Sequence, residues 1–173
     1  IREHLAPFAS AFESLGRDLD AFVEMFPVHP AYLKTFEALT IVEKRRILSS
    51  LTDQIRKRLD LEVPTEAPGV ICFDAYREEL EADPANRVIP EVRDVLERTR
   101  VLRDHVDRNL PVRTDVGPAL RIVDALAIHR LTTDDLDAPI GLTVDDLRDD
   151  LCLLPPGTPE LDASFIASSP GSG

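Results

Sequence analysis

Apolar residues recur at helical spacing along most of this chain, and most clearly in residues 118–153. There Leu120, Ile122, Val123, Leu126, Ile128 and Leu131 form an apolar stripe, with Arg121, Asp124 and Arg130 between them. Thr132 and Thr133 are placed to cap a short following helix that carries Asp134 and Asp135, whose charges suit a helix N-terminus. Pro139 and Gly141 stop that helix. Thr143 opens another, with Asp145 and Asp146 in its first turn and Leu147, Leu151 and Leu153 facing inward. Helix, short helix, tight turn, helix is the outline of a helix-turn-helix or winged-helix-like element over residues 117–154.

Upstream, Phe8, Phe12, Leu15, Leu19, Phe22 and Val23 give residues 1–25 a helical packing face. Pro7 suits a first turn, and Gly16 marks either a break between two short helices or a close contact. Pro27 and Pro30 hold Val28 and His29 extended, and Pro30 then starts a helix carrying Leu33, Phe36 and Leu39. A histidine set between two prolines reads first as a structural hydrogen-bonding group. The helix expected over 41–59 has its apolar face at Ile41, Ile47, Leu48, Leu51, Ile55 and Leu59. Its other face holds a dense basic cluster, Lys44, Arg45, Arg46, Arg56, Lys57 and Arg58. That cluster reads either as a solvated face paired with carboxylates or as an anion contact. Pro64, Pro68 and Gly69 make the next stretch a connector, with Val70–Phe73 its one candidate strand. Helices are then expected over 74–81 and from Pro90 to about Leu110, with residues 111–117 as a link. A Pro/Gly/Ser-rich tail follows Leu154, and a wing would have to begin there, at about residues 164–167.

The expected fold is therefore mainly α: a helical bundle, then a helix-turn-helix or winged-helix-like element, with at most one short strand pair. The segments are a helical part at 1–60, a connector and helical hairpin at 61–116, the winged-helix-like element at 117–154 and the tail at 155–173.

Composition narrows the function. With 173 residues, 43% hydrophobic and 30% charged, the chain is long enough to fold and bury roughly two thirds of its unfolded surface. A net charge of −12 argues against a broad nucleic-acid footprint, which needs clustered Lys and Arg. The candidate recognition helix at 143–153 carries Asp145, Asp146, Asp149 and Asp150 against Arg148, so two lines of phosphates would repel it. Cys72 and Cys152 sit in apolar surroundings and read as free thiols. No run reaches a membrane span and no signal peptide is visible, so a cytoplasmic protein is expected. The seven glycines form no phosphate-binding loop, the four histidines have no metal-ligand spacing, and no nucleophile elbow occurs. Neither a metal site nor a cofactor of this segment's own is expected. The paired aspartates fit helix starts better than acid–base catalysis.

Three stretches taken in order, FPVHPAYLKTFEAL at 26–39, VEKRRIL at 42–48 and ALAIHRLTTDDLDAPIGLTVDDLRDDLCL at 125–153, resemble the large ATPases of bacterial phage-defence systems. These are the PglY/BrxC-type proteins of phage growth limitation and BREX. The similarity spans roughly residues 20–154, and its most specific part is the HRLTT…GLT…LRDDLCL run. FPVHP is shared with a broader set of AAA-type ATPases. The resemblance implies a piece of a longer chain that follows a P-loop domain: the end of the nucleotide module, its helical lid and a winged-helix-like element. The absence of an initiator Met agrees with that expectation. It also implies that Arg45 or Arg46 acts as an arginine finger or sensor, with His29 and Lys44 close to nucleotide. ATP and Mg are then expected for the parent protein. The partners implied are neighbouring domains, other subunits of a defence complex, or further copies of the chain. The alternative is a freestanding α-helical protein-interaction or transcription-regulatory module.

Overall fold

Prolines and short polar side chains set where the helices begin. The computed structural model describes residues 1–39, 44–133 and 141–154, with the side chain of Lys44 left aside. Ten α-helices and no strand lie among the described residues: α1 Arg2–Leu5, α2 Glu13–Arg17, α3 Leu19–Met25, α4 Pro30–Ala38, α5 Lys44–Arg56, α6 Tyr76–Ala82, α7 Pro84–Arg87, α8 Pro90–Asn109, α9 Arg113–Arg130 and α10 Val144–Asp150. Tight 3-10 turns at Ala6–Ser10 and Phe73–Ala75 lead into α2 and α6. The fold is mainly α, as the periodicity predicts. Pro30, Pro84 and Pro90 each occupy a first helical position, where proline's missing N–H has no partner to lose. Asp18 and Asp83 accept backbone N–H groups at the starts of α3 and α7. Thr143 and Asp146 form a reciprocal capping box on α10.

Two apolar clusters result. The first ties the N-terminal layer together through Leu5, Phe8, Phe12, Leu15 and Phe22. Gly16 belongs to its packing, because a Cβ there would sit 2.5 Å from the Ala9 carbonyl oxygen. The main core draws on α4 and α5, the connector, α6, α8, α9 and Leu151, with Tyr32, Leu39, Leu80 and Ile128 fully buried. The boundaries expected at 60 and 116 therefore separate no cores, and α9 runs straight across the second. α8 and α9, joined by three residues, pack as a helical hairpin, and α9 also lies on the Phe73–Ala75 turn and α6.

Several local expectations change. Val70–Phe73 makes no strand. Ile71 forms a single parallel bridge with Val28, through His29 N–H to the Ile71 carbonyl (3.0 Å) and Ile71 N–H to the Pro27 carbonyl (2.6 Å). The peptide between Phe26 and Pro27 is cis. Residues 113–117, expected as a link, are the first turns of α9. Pro118 is tolerated inside that helix because it lies near its start and removes one hydrogen bond. The Thr132 and Thr133 hydroxyls donate back to the carbonyls of His129 (2.7 Å) and Arg130 (3.2 Å), closing α9. The short helix expected at Asp134 and Asp135 with its stop at Pro139, the start of the basic helix at residues 41–43, and the tail, including the residues 164–167 at which a wing would have to begin, lie outside the described residues.

One core group makes a simple prediction. Tyr32 is fully buried with its ring centroid 4.4 Å from that of Phe36, and its hydroxyl finds no hydrogen-bond partner among the described residues. Tyr32→Phe keeps the ring and removes the unsatisfied hydroxyl. It should raise unfolding stability by about 1 kcal/mol, read from the urea midpoint.

Candidate functional site

The basic cluster of α5 divides once its partners are known. Arg46 forms an ion pair with Asp83, the residue that caps α7. The Ala85 N–H and then Arg46 hold that carboxyl below the usual range. Further along, Arg56 meets Asp53 at 3.3 Å, Lys57 meets Glu79 at 3.7 Å, and Arg58 donates to the Gln54 carbonyl at 3.1 Å. Lys44 is the first residue of the helix. Arg45, beside it, is exposed and makes no hydrogen bond or ion pair with a described residue. Of the cluster's described side chains it alone remains uncommitted.

His29 is placed elsewhere, and the fold uses both of its ring nitrogens. The ring is 1% exposed, with Nδ1 accepting from Ala31 N–H (3.0 Å) at the start of α4. Its Nε2 lies 3.2 Å from the Asp149 carbonyl, to which it donates, and Phe22 packs edge-on with centroids 4.7 Å apart. Burial lowers its pKa to about 4 against the pull of Asp149, so the ring is neutral near pH 7. His29 thus joins the α3–α4 turn to α10, with both ring nitrogens engaged inside the fold. Asp149 completes that joint, its carboxylate accepting the N–H groups of Glu13 (2.8 Å) and Ser14 (2.6 Å) at the start of α2. Asp150, close by, has its pKa raised to about 6 by burial and by Asp146. The acidic side of α10 is therefore partly committed to the chain's own first layer.

A large cleft, about 910 Å³, was not foreseen from the sequence. It is lined by the end of α5, the connector, the Phe73–Ala75 turn and parts of α6, α8 and α9. Its base is an Arg–carboxylate network. Arg121 grips buried Asp74 through Nε (2.7 Å) and Nη2 (3.3 Å), while Asp124 takes Arg103 and lies 3.1 Å from Arg77 Nε. Arg77 also pairs with Glu81. Burial opposes the charge on Arg121, but the bond and charge of Asp74 outweigh it and raise its pKa. For Asp124 burial prevails over Arg103 and Arg77, and the carboxyl is raised. Cys72 lines the cleft; its thiol contact with Cys152, together with burial, pushes the Cys152 thiol up. Both cysteines are free. No sequence signal links Asp74 with Arg121, 47 positions apart, because an i,i+4 rule cannot reach that far. Among the described residues no group of His, Cys, Asp and Glu is arranged to hold a metal ion, and no helix is long and apolar enough to cross a membrane.

Fold and site together define an α-helical domain with an internally paired charge network beside an open cleft. By comparison with known families, residues 1–169 match the DUF6079 second domain, and the chain belongs to that family. Comparison with curated proteins and with solved structures gives no match.

Proposed function

We propose that this domain is the accessory, lid-side portion of a cytoplasmic phage-defence ATPase of the PglY/BrxC type, acting in nucleotide sensing and in assembly of the defence complex. The observation that carries this reading is Arg45, an exposed guanidinium at the start of α5 without a partner among the described residues. It lies in the VEKRRIL stretch that resembles those ATPases. Arg46, in the same stretch, is occupied by Asp83. A family described as a second domain also agrees with a segment that works beside another domain. ATP and its Mg would be held by that neighbour. The VEKRRIL stretch offers a phosphate the Arg45 guanidinium, suited to bidentate contact with its oxygens, and the chain has no glycine-rich loop to cradle it.

The test is ATP turnover by the full-length protein. Arg45→Ala should lower it at least about tenfold, a modest share of what arginine fingers supply, with the domain's unfolding midpoint unchanged. Arg46→Ala should lower the midpoint and leave turnover close to wild type. Wild-type turnover in Arg45→Ala would return the cluster to a solvated helix face.

A further inference from the structure

The connector after α5 reads LDLEVPTEAPG, residues 59–69, and alternates apolar and acidic side chains at its start. Leu59, Leu61 and Val63 are 71%, 66% and 48% exposed, and all three line the large cleft. Exposed aliphatic residues scattered singly need no explanation, but three within five residues of one connector, all lining one cleft, make a patch. The stretch is held at both ends. Leu61 N–H bonds the Arg58 carbonyl (3.1 Å), and His4 Nε2 donates to the Pro68 carbonyl (3.0 Å). Gly69, at φ +71°, turns the chain back toward the core, with Pro64 only 3.0 Å from where a Cβ would be. Between those anchors, residues 62–67 make no backbone hydrogen bond with any described residue.

Charge says what would cover the patch. Asp60, Glu62 and Glu66 on the connector make no ion pair with a described residue, and the connector holds no Lys or Arg. Of these Glu62 lines the cleft, as does Glu78, which is exposed on α6 and makes no ion pair with a described residue. The cations lining the cleft are used within the chain: Lys57 by Glu79, Arg103 by Asp124, Arg121 by Asp74, and Arg58 by a carbonyl. The net charge of −12 draws basic partners from a distance as well.

We infer that this cleft docks an extended segment of a partner protein in which apolar side chains alternate with Lys or Arg. The apolar side chains lie on Leu59, Leu61 and Val63, and the basic ones meet Glu62, Glu78 and their neighbours. The peptide groups of Glu62 and Val63 make no backbone hydrogen bond with a described residue, which favours a polypeptide segment whose own amides and carbonyls can meet them. This surface is independent of the nucleotide reading of Arg45 and lies on a different part of the domain.

The probe is a fluorescein-labelled peptide of about ten residues alternating Leu with Lys or Arg, titrated by anisotropy against the whole chain. Its counterpart carries Glu at the basic positions. The basic peptide should bind with a Kd below about 100 μM at about 50 mM salt, weaken as salt rises, and leave the acidic one unbound. Leu59→Ser/Leu61→Ser and Glu62→Lys/Glu78→Lys should each weaken it at least about tenfold. All four positions are exposed, so the unfolding midpoint of both variants should stay at wild type. Glu37→Lys/Glu97→Lys changes the net charge by the same amount away from the cleft and should weaken binding less than about threefold. Equal weakening by that control, retention of binding in either cleft variant, or equal binding of the acidic peptide overturns the assignment.

Discussion

His29→Ala should destabilise the domain by about 3–4 kcal/mol, lowering the melting midpoint by roughly 10 °C for a chain of this size. Three losses combine. The start of α4 loses its side-chain acceptor, typically about 1 kcal/mol. The Asp149 carbonyl loses its donor inside the structure, about 1–3 kcal/mol. The ring's edge contact with Phe22 adds about 0.5–1.5 kcal/mol. The same residue sets an acid limb. Unfolded, the imidazole takes a proton near pH 6.5, whereas burial in the fold delays this to about 4. Its contribution is therefore present above pH 6.5 and is lost as pH falls toward 4, amounting to about 3 kcal/mol. Asp150 opposes it, because a carboxyl raised to about 6 favours the folded state as pH falls from 6 toward 4. The groups around this joint are Asp149, Asp146, Lys34 and Arg121, so the wild-type profile alone mixes several effects. Subtracting the urea-unfolding profile of His29→Gln from that of wild type isolates the imidazole. A flat difference between pH 6.5 and 4 would show that His29 is protonated in the fold.

Asp74→Ala should cost about 3 kcal/mol, because the Arg121 guanidinium then stays half-buried with no carboxylate to meet it. The figure is taken at the low edge for a broken buried pair, since the Arg121 side chain keeps 38% of its surface open. Removing both charges is a different matter. Asp74→Leu/Arg121→Met should recover most of the loss, as apolar replacements of buried pairs often do. The double-mutant cycle in urea reads the coupling directly. A cost below about 1 kcal/mol for Asp74→Ala would mean that solvent screens the pair as it does at a surface.

Much of the helical outline was legible in the chain. Pro30 and Pro90 announced helix starts because proline fits a first turn, and Thr143 announced α10 through a cap confined to four consecutive residues. Gly16 pointed to either a break between two short helices or a close contact, and the fold places it against the Ala9 carbonyl, which the sequence does not name. The start of α9 was hidden by Pro118, whose usual meaning as a breaker weakens near a helix N-terminus. The site was less legible. Arg45 and Arg46 look alike in sequence and differ only because Asp83, 37 positions beyond Arg46, occupies one of them. The paired aspartates of α10 fit a helix start, as Asp146 shows, but the use made of Asp149 depends on a helix 136 positions earlier. Such pairings follow from the packing of distant elements, to which a local pattern is blind.

The long reach of Asp149 has a consequence during synthesis. The amides of Glu13 and Ser14 leave the ribosome well over a hundred residues before the carboxylate that receives them. At about 5–20 residues per second, that interval is on the order of ten seconds. Throughout it the first helical layer lacks both this cap and the joint through His29, and its phenylalanines wait without the element that closes over them. A nascent chain of this protein thus passes through a window in which the apolar face of its N-terminal segment is incompletely covered, and the window closes when α10 emerges.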